Sequence, residues 1–387
     1  MSLLSVIKKS SIAHILIAIT FFTSGLIINF FQCILYFGLR PFSKYLYRKI
    51  NYYFLYSFYC QLVFLAEWWS GSDVILYIDK EDYEKYYGKE HGFLLMNHSY
   101  EIDWLTGWML CDRVKVLGNC KAYAKKSIQY IPTLGWAWKF AESIFLERSW
   151  DKDKDIIGRQ IKELADYPDP IWLLLYPEGT RFTQEKQIAS QKFAQEKGLT
   201  LLKHHLIPRT KGFTASLPKM RGKVPAIYDV QMVFKVNDPV KPTMKNLLLG
   251  KSVEGHMYMK RIPLEEVPTD DAAAAEWLHK LYEQKDRMTE SFLQTGDFFA
   301  TSGVPKTDIF RLKRRFYSLL NTLFWAVAVL VPMLYYLINL FLSGSTIYFS
   351  IGVGIIVLFY LLMYKTMGMS EISKASSYGK ADIKKTK

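Results

Sequence analysis

The chain reads Gly92-Phe93-Leu94-Leu95-Met96-Asn97-His98-Ser99-Tyr100-Glu101-Ile102-Asp103-Trp104, a short apolar run followed by a polar one. This pattern predicts a buried strand, then a turn and the start of a helix. On a straight helix His98 and Asp103 would lie about 140° apart around the axis and would not touch. A turn after the strand can bring them together, at the edge where an open α/β sheet usually holds its reactive groups.

The two side chains suit proton transfer. A hydroxyl becomes a good nucleophile when a base removes its proton, and neutral imidazole does this near neutral pH. A carboxylate on the other ring nitrogen fixes the tautomer and stabilises the imidazolium that forms. His98 and Asp103 therefore predict a general base with its orienting partner. The alternative is a histidine that caps a helix beside an unrelated acid.

Three segments further along the chain repeat the change from apolar to polar residues. They read Glu142-Ser143-Ile144-Phe145-Leu146-Glu147-Arg148-Ser149, Ile171-Trp172-Leu173-Leu174-Leu175-Tyr176-Pro177-Glu178-Gly179-Thr180-Arg181-Phe182 and Gly222-Lys223-Val224-Pro225-Ala226-Ile227-Tyr228-Asp229-Val230. Gly179 permits a tight turn, and the planar guanidinium groups of Arg148 and Arg181 suit a phosphate, although a surface ion pair explains either arginine alone. Pro225 could shape an apolar wall or simply precede a strand.

The composition favours a membrane surface over nucleic acid as the partner. The chain has 387 residues, of which 50% are hydrophobic, and a net charge of +14. Lys and Arg flank apolar runs rich in Tyr, Phe and Trp, which is typical of an anionic membrane surface and of anionic substrates. Its cysteines have no C-x-x-C spacing, so we predict neither a disulfide framework nor a metal site. These residues are Cys33, Cys60, Cys111 and Cys120.

Long apolar runs lie near both ends of the chain. Residues 12–37 are too long for a signal-peptide core and predict a retained anchor. Residues 52–69 contain Glu67 and could span the membrane, re-enter it or lie along its interface. Residues 316–342 and 346–364 are each long enough to cross a bilayer, and a short loop separates them, so they predict a transmembrane hairpin.

These runs divide the chain into four predicted parts. Residues 1–70 form an N-terminal membrane anchor region, residues 71–305 a catalytic-sized domain, residues 306–364 the hairpin, and residues 365–387 a basic tail. Because basic residues flank both outer ends of the hairpin, the positive-inside rule places those ends and the middle domain in the cytosol. The tail ends in Lys384-Lys385-Thr386-Lys387, which resembles a dilysine retrieval signal for the endoplasmic reticulum, although basic tails are common.

Taken in order, these segments resemble the glycerolipid acyltransferase family, whose best-known member is lysophosphatidic acid acyltransferase. The resemblance rests on N-H-x-x-x-x-D, an apolar strand that ends near an arginine, P-E-G-T-R and a V-P-A turn. The surrounding residues are most similar to the animal gamma/delta-type 1-acylglycerol-3-phosphate acyltransferases and their lysocardiolipin relatives. The resemblance implies one α/β domain with a mixed central sheet flanked by helices, between the N-terminal anchor region and the C-terminal hairpin.

The resemblance also implies roles for single residues. His98 would be the general base for the acceptor hydroxyl, and Asp103 would orient it. Pro225 would help to form the acyl-chain or acyl-CoA site. The glycerol phosphate would bind to an arginine of the second block and to the P-E-G-T-R block, that is, to Arg148, Glu178, Gly179, Thr180 and Arg181.

The implied reaction moves an acyl group from acyl-CoA, as a co-substrate, to the sn-2 hydroxyl of lysophosphatidic acid. No cofactor, metal or nucleic acid is implied, and membrane lipids are the expected surroundings. Lysocardiolipin, lysophosphatidylinositol or lysophosphatidylcholine are alternative acceptors. A catalytically silent, membrane-shaping scaffold is the alternative from another class, because apolar hairpins can wedge into a leaflet without chemistry. The sequence lacks G-x-S-x-G and H-E-x-x-H, so a serine lipase or a zinc hydrolase has little support.

Other segments bear on topology and on charge. Asn97-His98-Ser99 is formally a glycosylation sequon, and a glycan beside the predicted base would block it, so the interpretation requires a cytosolic face. The basic residues within 121–126 and 203–211 could meet CoA phosphates or lipid head groups, or they could form solvated faces. We predict that His204 and His205 lie at the surface, since they have no acidic or cysteine partners at metal-ligand spacing.

Overall fold

The computed structural model describes residues 3–147, 149–235 and 238–370. Short π-helical segments, Leu35–Leu39 and Leu65–Ser70, directly follow the helices Ser11–Ile34 and Lys44–Phe64. The helices are α1 (Leu3–Lys9), α2 (Ser11–Ile34), α3 (Lys44–Phe64), α4 (Lys80–Tyr86), α5 (Asp103–Arg113), α6 (Leu134–Phe140), α7 (Trp150–Leu164), α8 (Gln184–Lys197), α9 (Thr210–Met220), α10 (Met244–Leu248), α11 (Asp271–Thr295), α12 (Phe316–Leu342) and α13 (Thr346–Ser370). The strands are β1 (Asp73–Ile78), β2 (Gly92–Met96), β3 (Cys120–Lys125), β4 (Ile144–Leu146), β5 (Trp172–Leu175), β6 (Ala226–Phe234), β7 (Glu254–Pro263) and β8 (Asp308–Arg311).

The strands form one mixed sheet in the order β4-β3-β5-β2-β6-β7-β1-β8. The first five strands of this order are parallel, β7 runs antiparallel to β6, and β8 runs antiparallel to β1. Strand β2 lies between β5 and β6, with Leu95 opposite Leu175 and Met96 opposite Val230. Because β2 and β5 end side by side, the polar residues that follow them emerge at the same edge of the sheet.

Strand β2 is buried on both faces, as its apolar run predicts. Phe93 and Leu95 pack on one face with side chains of α7, α9 and α11. Leu94 and Met96 pack on the other face with side chains of α3 and α5. The alternation of side chains along a strand explains this division. The sheet is therefore the middle layer between two layers of helices, which confirms the predicted mixed α/β class.

The predicted strands are present as β2, β4, β5 and β6. The sheet continues past residue 305, because Ile309 of β8 pairs with Tyr77 of β1. Residues of β8 lack the continuous apolar run of a buried strand, since this short strand lies at the sheet edge and is largely exposed. The α/β sheet thus extends to within a few residues of α12.

Three helices in the described part of the chain are long and apolar enough to cross a membrane. They are Ser11–Leu39, Phe316–Leu342 and Thr346–Thr366. The most apolar stretch of the first is 39% buried, whereas that of each C-terminal helix is only 11% buried. Helices α12 and α13 therefore leave most of their apolar surface exposed, while α2 packs much of its surface against protein.

The run at residues 52–69 belongs to α3 and its π-helical end, which is not one of these three helices. Both ends of α3 are bonded to the α/β domain. The Tyr47 hydroxyl donates to the carbonyl of Phe140 at 2.5 Å, and the Trp69 indole donates to the carbonyl of Leu248 at 2.7 Å. Glu67 is buried and forms an ion pair with Arg113. Helix α3 thus lies along the domain.

Candidate active site

His98 and Asp103 meet across the turn between β2 and α5. The Nδ1 atom of His98 lies 2.9 Å from Oδ2 of Asp103. Residues 97–102 are not helical, so the two side chains escape the separation that a straight helix would impose on them. With Nδ1 occupied by the carboxylate, Nε2 is the ring nitrogen left for another group.

The Asp103 carboxylate is fully buried and is held by several donors. The backbone N–H of Trp104 donates to Oδ1 at 2.7 Å, and that of Tyr100 donates to Oδ2 at 3.2 Å. Asp103 is also the first residue of α5, where the helix dipole favours a negative charge. These contacts stabilise an ionised carboxylate and fix its orientation toward His98.

Tyr176 is a third member of this cluster that sequence reasoning did not single out. Its ring stacks on the His98 imidazole, with centroids 4.0 Å apart and planes 20° from parallel. Its hydroxyl donates to Oδ1 of Asp103 at 3.3 Å. Its position directly after β5 could have identified it. Because β5 pairs with β2 in parallel, the residue after β5 lies close to the residues after β2. Burial, together with the negative charge of Asp103, raises the pKa of the Tyr176 hydroxyl well above its ordinary value, so it remains a donor.

Asn97 anchors the turn to the neighbouring strand. Its side-chain amide donates to the carbonyl of Met232 at 2.9 Å, and its side-chain oxygen accepts the Met232 N–H at 2.7 Å. The side chain therefore continues the hydrogen-bond ladder between β2 and β6 past Met96. Asn97 is 2% exposed, so its amide has no room for a glycan in this fold.

Glu178 lies behind the His98 turn and binds its backbone. Its carboxylate accepts the backbone N–H of His98 at 2.9 Å and that of Leu206 at 3.2 Å, and its side chain is fully buried. Burial raises the pKa of this carboxyl, although His205 and the two N–H groups oppose the shift. This placement differs from the expectation that Glu178 contacts a glycerol phosphate. A buried carboxylate that accepts two backbone N–H groups positions the His98 turn instead.

The rest of the P-E-G-T-R block borders the site. Gly179 has φ of +70°, a conformation that favours glycine, and a Cβ atom there would lie 3.1 Å from Cδ of Arg209. The buried ammonium of Lys186 donates to Oγ1 of Thr180 at 2.9 Å and to the carbonyl of Arg181 at 3.0 Å. Lys186 belongs to α8 and stabilises the conformation of the loop at residues 179–181. The sequence did not indicate this role.

A large cavity of about 1520 Å³ opens beside His98. Gly179, Thr180 and Arg181 line it, so the structure brings these predicted residues together with the base. Side chains from both faces of the sheet and from the membrane-facing helices form the remaining walls. Its basic lining residues are Lys121, Lys125, Arg181, Lys197, Arg209 and Lys211. The cavity thus combines cationic and apolar walls.

The described structure does not bring the predicted site residue Pro225 to this cavity. Pro225 precedes β6 at the strand's beginning, next to Ala226, which pairs with Gly92 at the start of β2. It is exposed at the edge of the sheet opposite His98, because β2 and β6 are parallel and His98 follows the end of β2. Arg148 lies outside the described residues, so its predicted contact remains a prediction.

The basic segments supply residues to the cavity lining and to the surface. Lys121, Lys125, Arg209 and Lys211 border the cavity. Lys121 is 2% exposed, and burial lowers its pKa to about 8. Lys203 is exposed and lies 3.6 Å from Glu290. The cavity therefore receives its positive charge from residues that are far apart in the sequence.

The prediction of a surface position is wrong for His205. This side chain is 1% exposed, and its Nδ1 atom lies 3.0 Å from Oδ1 of Asp286, a partner on α11. The neighbouring His204 is half-buried and pairs with Glu290 of the same helix. Partners more than eighty positions away could not be recognised from local spacing. In the described residues, no three His, Cys, Asp or Glu side chains gather as metal ligands.

Comparisons with known proteins identify the family of this chain. Residues 77–232 match the model of the acyltransferase family, and residues 246–325 match the acyltransferase C-terminus model. Human 1-acyl-sn-glycerol-3-phosphate acyltransferase gamma is 42% identical over 386 residues and covers 100% of both chains. The delta enzyme of Bos taurus is 41% identical over 385 residues and covers 99% of each. The crystal structure of the LPA acyltransferase PlsC from Thermotoga maritima has a TM-score of 0.44 and 14% identity, over 73% of this chain and 96% of that one. On the strength of the full-length identities and the matched domains, this chain belongs to the acyltransferase family.

Proposed function

We propose that this chain is a 1-acylglycerol-3-phosphate O-acyltransferase, which moves an acyl group from acyl-CoA to the sn-2 hydroxyl of lysophosphatidic acid and so forms phosphatidic acid. One observation carries the proposal. His98 is paired with Asp103 through Nδ1 and borders a cavity with cationic and apolar walls. Each substrate has a phosphorylated head and an alkyl chain, which match those walls. The full-length similarity to the gamma and delta relatives supports the same reaction.

In the proposed mechanism, Nε2 of His98 removes the proton from the acceptor hydroxyl. The oxygen attacks the thioester carbon of acyl-CoA and forms a tetrahedral oxyanion. This intermediate collapses, the C–S bond breaks, and the CoA thiolate leaves and takes up the proton from the imidazolium. Asp103 stabilises the transient charge on His98 through the Nδ1 hydrogen bond. The chemistry requires no covalent enzyme intermediate and no cofactor.

The phosphates would bind where basic side chains line the cavity. Arg181 follows the Gly179 turn and Arg209 lies against the same turn, so both guanidinium groups are near the exit of β5. A planar guanidinium donates two parallel hydrogen bonds to a phosphate, whereas an ammonium acts as a point charge. Lys125 and Lys211 add positive charge for a substrate pair that carries several phosphate groups. Arg148 remains a predicted contributor.

The three long apolar helices indicate a membrane protein. We place it in the endoplasmic-reticulum membrane as a multi-pass protein, with its α/β domain facing the cytosol, where acyl-CoA is found. Arg314 and Arg315 precede α12 and Lys365 lies near the end of α13, so the positive-inside rule puts both ends of the hairpin on the cytosolic side. The predicted tail signal at residues 384–387 lies outside the described residues. A glycosidase-sensitive mass shift at Asn97 would contradict this orientation.

The deciding experiment measures acyl transfer by the detergent-solubilised full chain with a panel of acyl-CoAs and lysophospholipids. We expect transfer to lysophosphatidic acid, and we expect His98→Ala to lower kcat by about 10²- to 10⁴-fold, the usual contribution of a general base. His204→Ala is the matched control, since His204 pairs with Glu290 away from the cavity lining.

The acceptor panel separates the alternatives. Transfer to lysocardiolipin, lysophosphatidylinositol or lysophosphatidylcholine alone would keep the mechanism and overturn the proposed acceptor. No transfer to any acceptor would favour the scaffold. Near-normal turnover of His98→Ala would refute the assignment of the base, whatever the acceptor.

A further inference from the structure

The C-terminal hairpin contributes to the cavity that borders His98. Four side chains of α12 line it, namely Thr322, Leu323, Ala326 and Leu330. Their spacing along the helix places them on one face, which extends over roughly 12 Å at the helical rise of 1.5 Å per residue. The neighbouring Ala328 lies on a different side of the helix and is exposed. One face of α12 thus looks toward the α/β domain and the cavity, and another looks away.

The hairpin section of the cavity has the chemistry of an alkyl-chain site. Helix α13 adds Met363 and Thr366, so none of the hairpin residues in the lining is charged. Across from them, Thr20 and Phe21 of α2 and Leu62 of α3 line the same space. Threonine methyl groups, Leu, Ala, Met and Phe favour burial of methylene groups over burial of a polar head.

Helix α5, which begins at Asp103, also lines this cavity. Gly107 is one helical turn beyond Asp103 and lines the cavity, and a Cβ atom at Gly107 would meet nothing within 4 Å. Trp104 and Trp108 line the cavity on either side of it. The missing side chain of Gly107 therefore leaves open space on the helix that carries Asp103, in the same cavity as the α12 face.

We propose that the α12–α13 hairpin is a wall of the substrate site as well as an anchor, and that the α12 face around Ala326 determines which alkyl-chain lengths the enzyme accepts. The chain that lies there belongs to the acyl donor or to the lysophospholipid acceptor, which share the same chemistry. The inference rests on the proposed function. The reason for the proposal is that one cavity is lined by His98, by Gly107 and by the apolar residues of α2, α3 and α12. An alkyl chain that begins near His98 and passes Gly107 therefore reaches the apolar section.

The test places a bulky side chain on the α12 face that lines the cavity. Ala326→Trp is expected to lower kcat/KM for oleoyl-CoA by about tenfold or more. The kcat/KM for octanoyl-CoA should stay within about threefold of that of the unmodified enzyme, because the bulky side chain excludes only the far end of a long chain. Ala328→Trp makes the same substitution on an exposed part of the same helix and should change neither value. Gly107→Leu fills the space nearer the catalytic pair and should disfavour long chains more strongly than Ala326→Trp does.

Varying each substrate in turn identifies the chain. Oleoyl and octanoyl donors are compared with one acceptor, and then lysophosphatidic acids with oleoyl and octanoyl chains are compared with one donor. A changed length preference for either substrate supports the proposal and shows which chain lies against α12. Thermal unfolding in detergent confirms that each variant is folded.

Two results would overturn the inference. An unchanged length preference in folded Ala326→Trp would show that no substrate chain reaches the hairpin, whatever the result for Gly107→Leu. An equal loss with all lengths in folded variants would show that the helix affects activity without contacting the chain. Failure of the proposed function is distinguishable from both, because the unmodified chain would then transfer no acyl group of any length.

Discussion

The described residues include two histidine–aspartate pairs of nearly the same geometry, one at the cavity and one in the core. His98 Nδ1 lies 2.9 Å from Asp103, and His205 Nδ1 lies 3.0 Å from Asp286. In both pairs the carboxylate also accepts two backbone N–H groups. By the hydrogen bond alone, the two pairs cannot be told apart.

They differ at the second ring nitrogen. The His98 side chain is 15% exposed and borders the cavity, whereas His205 is 1% exposed and its Nε2 atom lies 3.1 Å from the side-chain amide of Gln231. An imidazole acts as a base only when one nitrogen is held and the other can reach a substrate proton. The comparison teaches that access to Nε2 distinguishes a candidate base from a structural histidine.

Asp103→Asn is expected to have the largest effect. An amide in place of the carboxylate neither fixes the tautomer nor stabilises the imidazolium, so kcat should fall by about 10²- to 10⁴-fold with the fold retained. The measurement is acyl transfer at saturating substrates, beside thermal unfolding of the same sample. Retention of most activity would mean that His98 does not depend on Asp103.

Asp286→Asn should change stability and leave the chemistry intact. Burial tends to raise the pKa of this carboxyl, but His205 and the N–H groups of Lys203 and His204 outweigh it and lower the pKa. The stabilisation is therefore complete above the unfolded pKa and is lost only as pH falls through the folded one. At neutral pH the loss should be about 1–3 kcal/mol, seen as a lower unfolding temperature. A drop in turnover per folded molecule comparable to that of Asp103→Asn would remove the distinction between the two pairs.

A buried histidine outside both pairs, His256, adds a pH test. His256 is 5% exposed, with Nδ1 3.0 Å from the Tyr77 hydroxyl, and burial lowers its pKa from 6.5 to about 4. Since the unfolded chain binds the proton more readily, stability should be lost as pH falls below 6.5. We expect His256 to contribute a loss of about 1 kcal/mol between pH 7.5 and pH 5.5. His256→Gln should make the unfolding temperature less dependent on pH. If the pH dependence of the variant were identical to that of the unmodified chain, groups other than His256 would be responsible for it.

Tyr176→Phe should have the smallest effect. It removes the hydroxyl that donates to Asp103 but keeps the ring that stacks on His98. The loss of one neutral hydrogen-bond donor predicts a fall in kcat of about three- to tenfold. Tyr130→Phe, at a tyrosine that is 70% exposed, is the matched control. A loss as large as that of Asp103→Asn would mean that the hydroxyl does more than orient the carboxylate.

Much of the site could be predicted because its members follow strands directly. His98 and Asp103 follow β2, and Gly179 and Arg181 follow β5, so two local patterns predict an edge where they gather. Lys186 and Tyr176 were missed, since their roles depend on contacts with groups outside their own segment. Glu178 stands in a motif but faces inward, because its partners are backbone N–H groups that no residue pattern displays.

The apolar strands, the hairpin helices and the polar turn after β2 could be predicted from the sequence alone, because hydrophobic periodicity and segment length are local properties. The sequence also placed a histidine and an aspartate where a turn can join them. Only the tertiary structure decided that His205 is sealed in the core while His98 borders a cavity, and that α12 forms part of that cavity's wall. The physical reason is that burial and access depend on which distant elements pack together, and the partners of His205 and the lining from α12 lie far along the chain from the residues they meet.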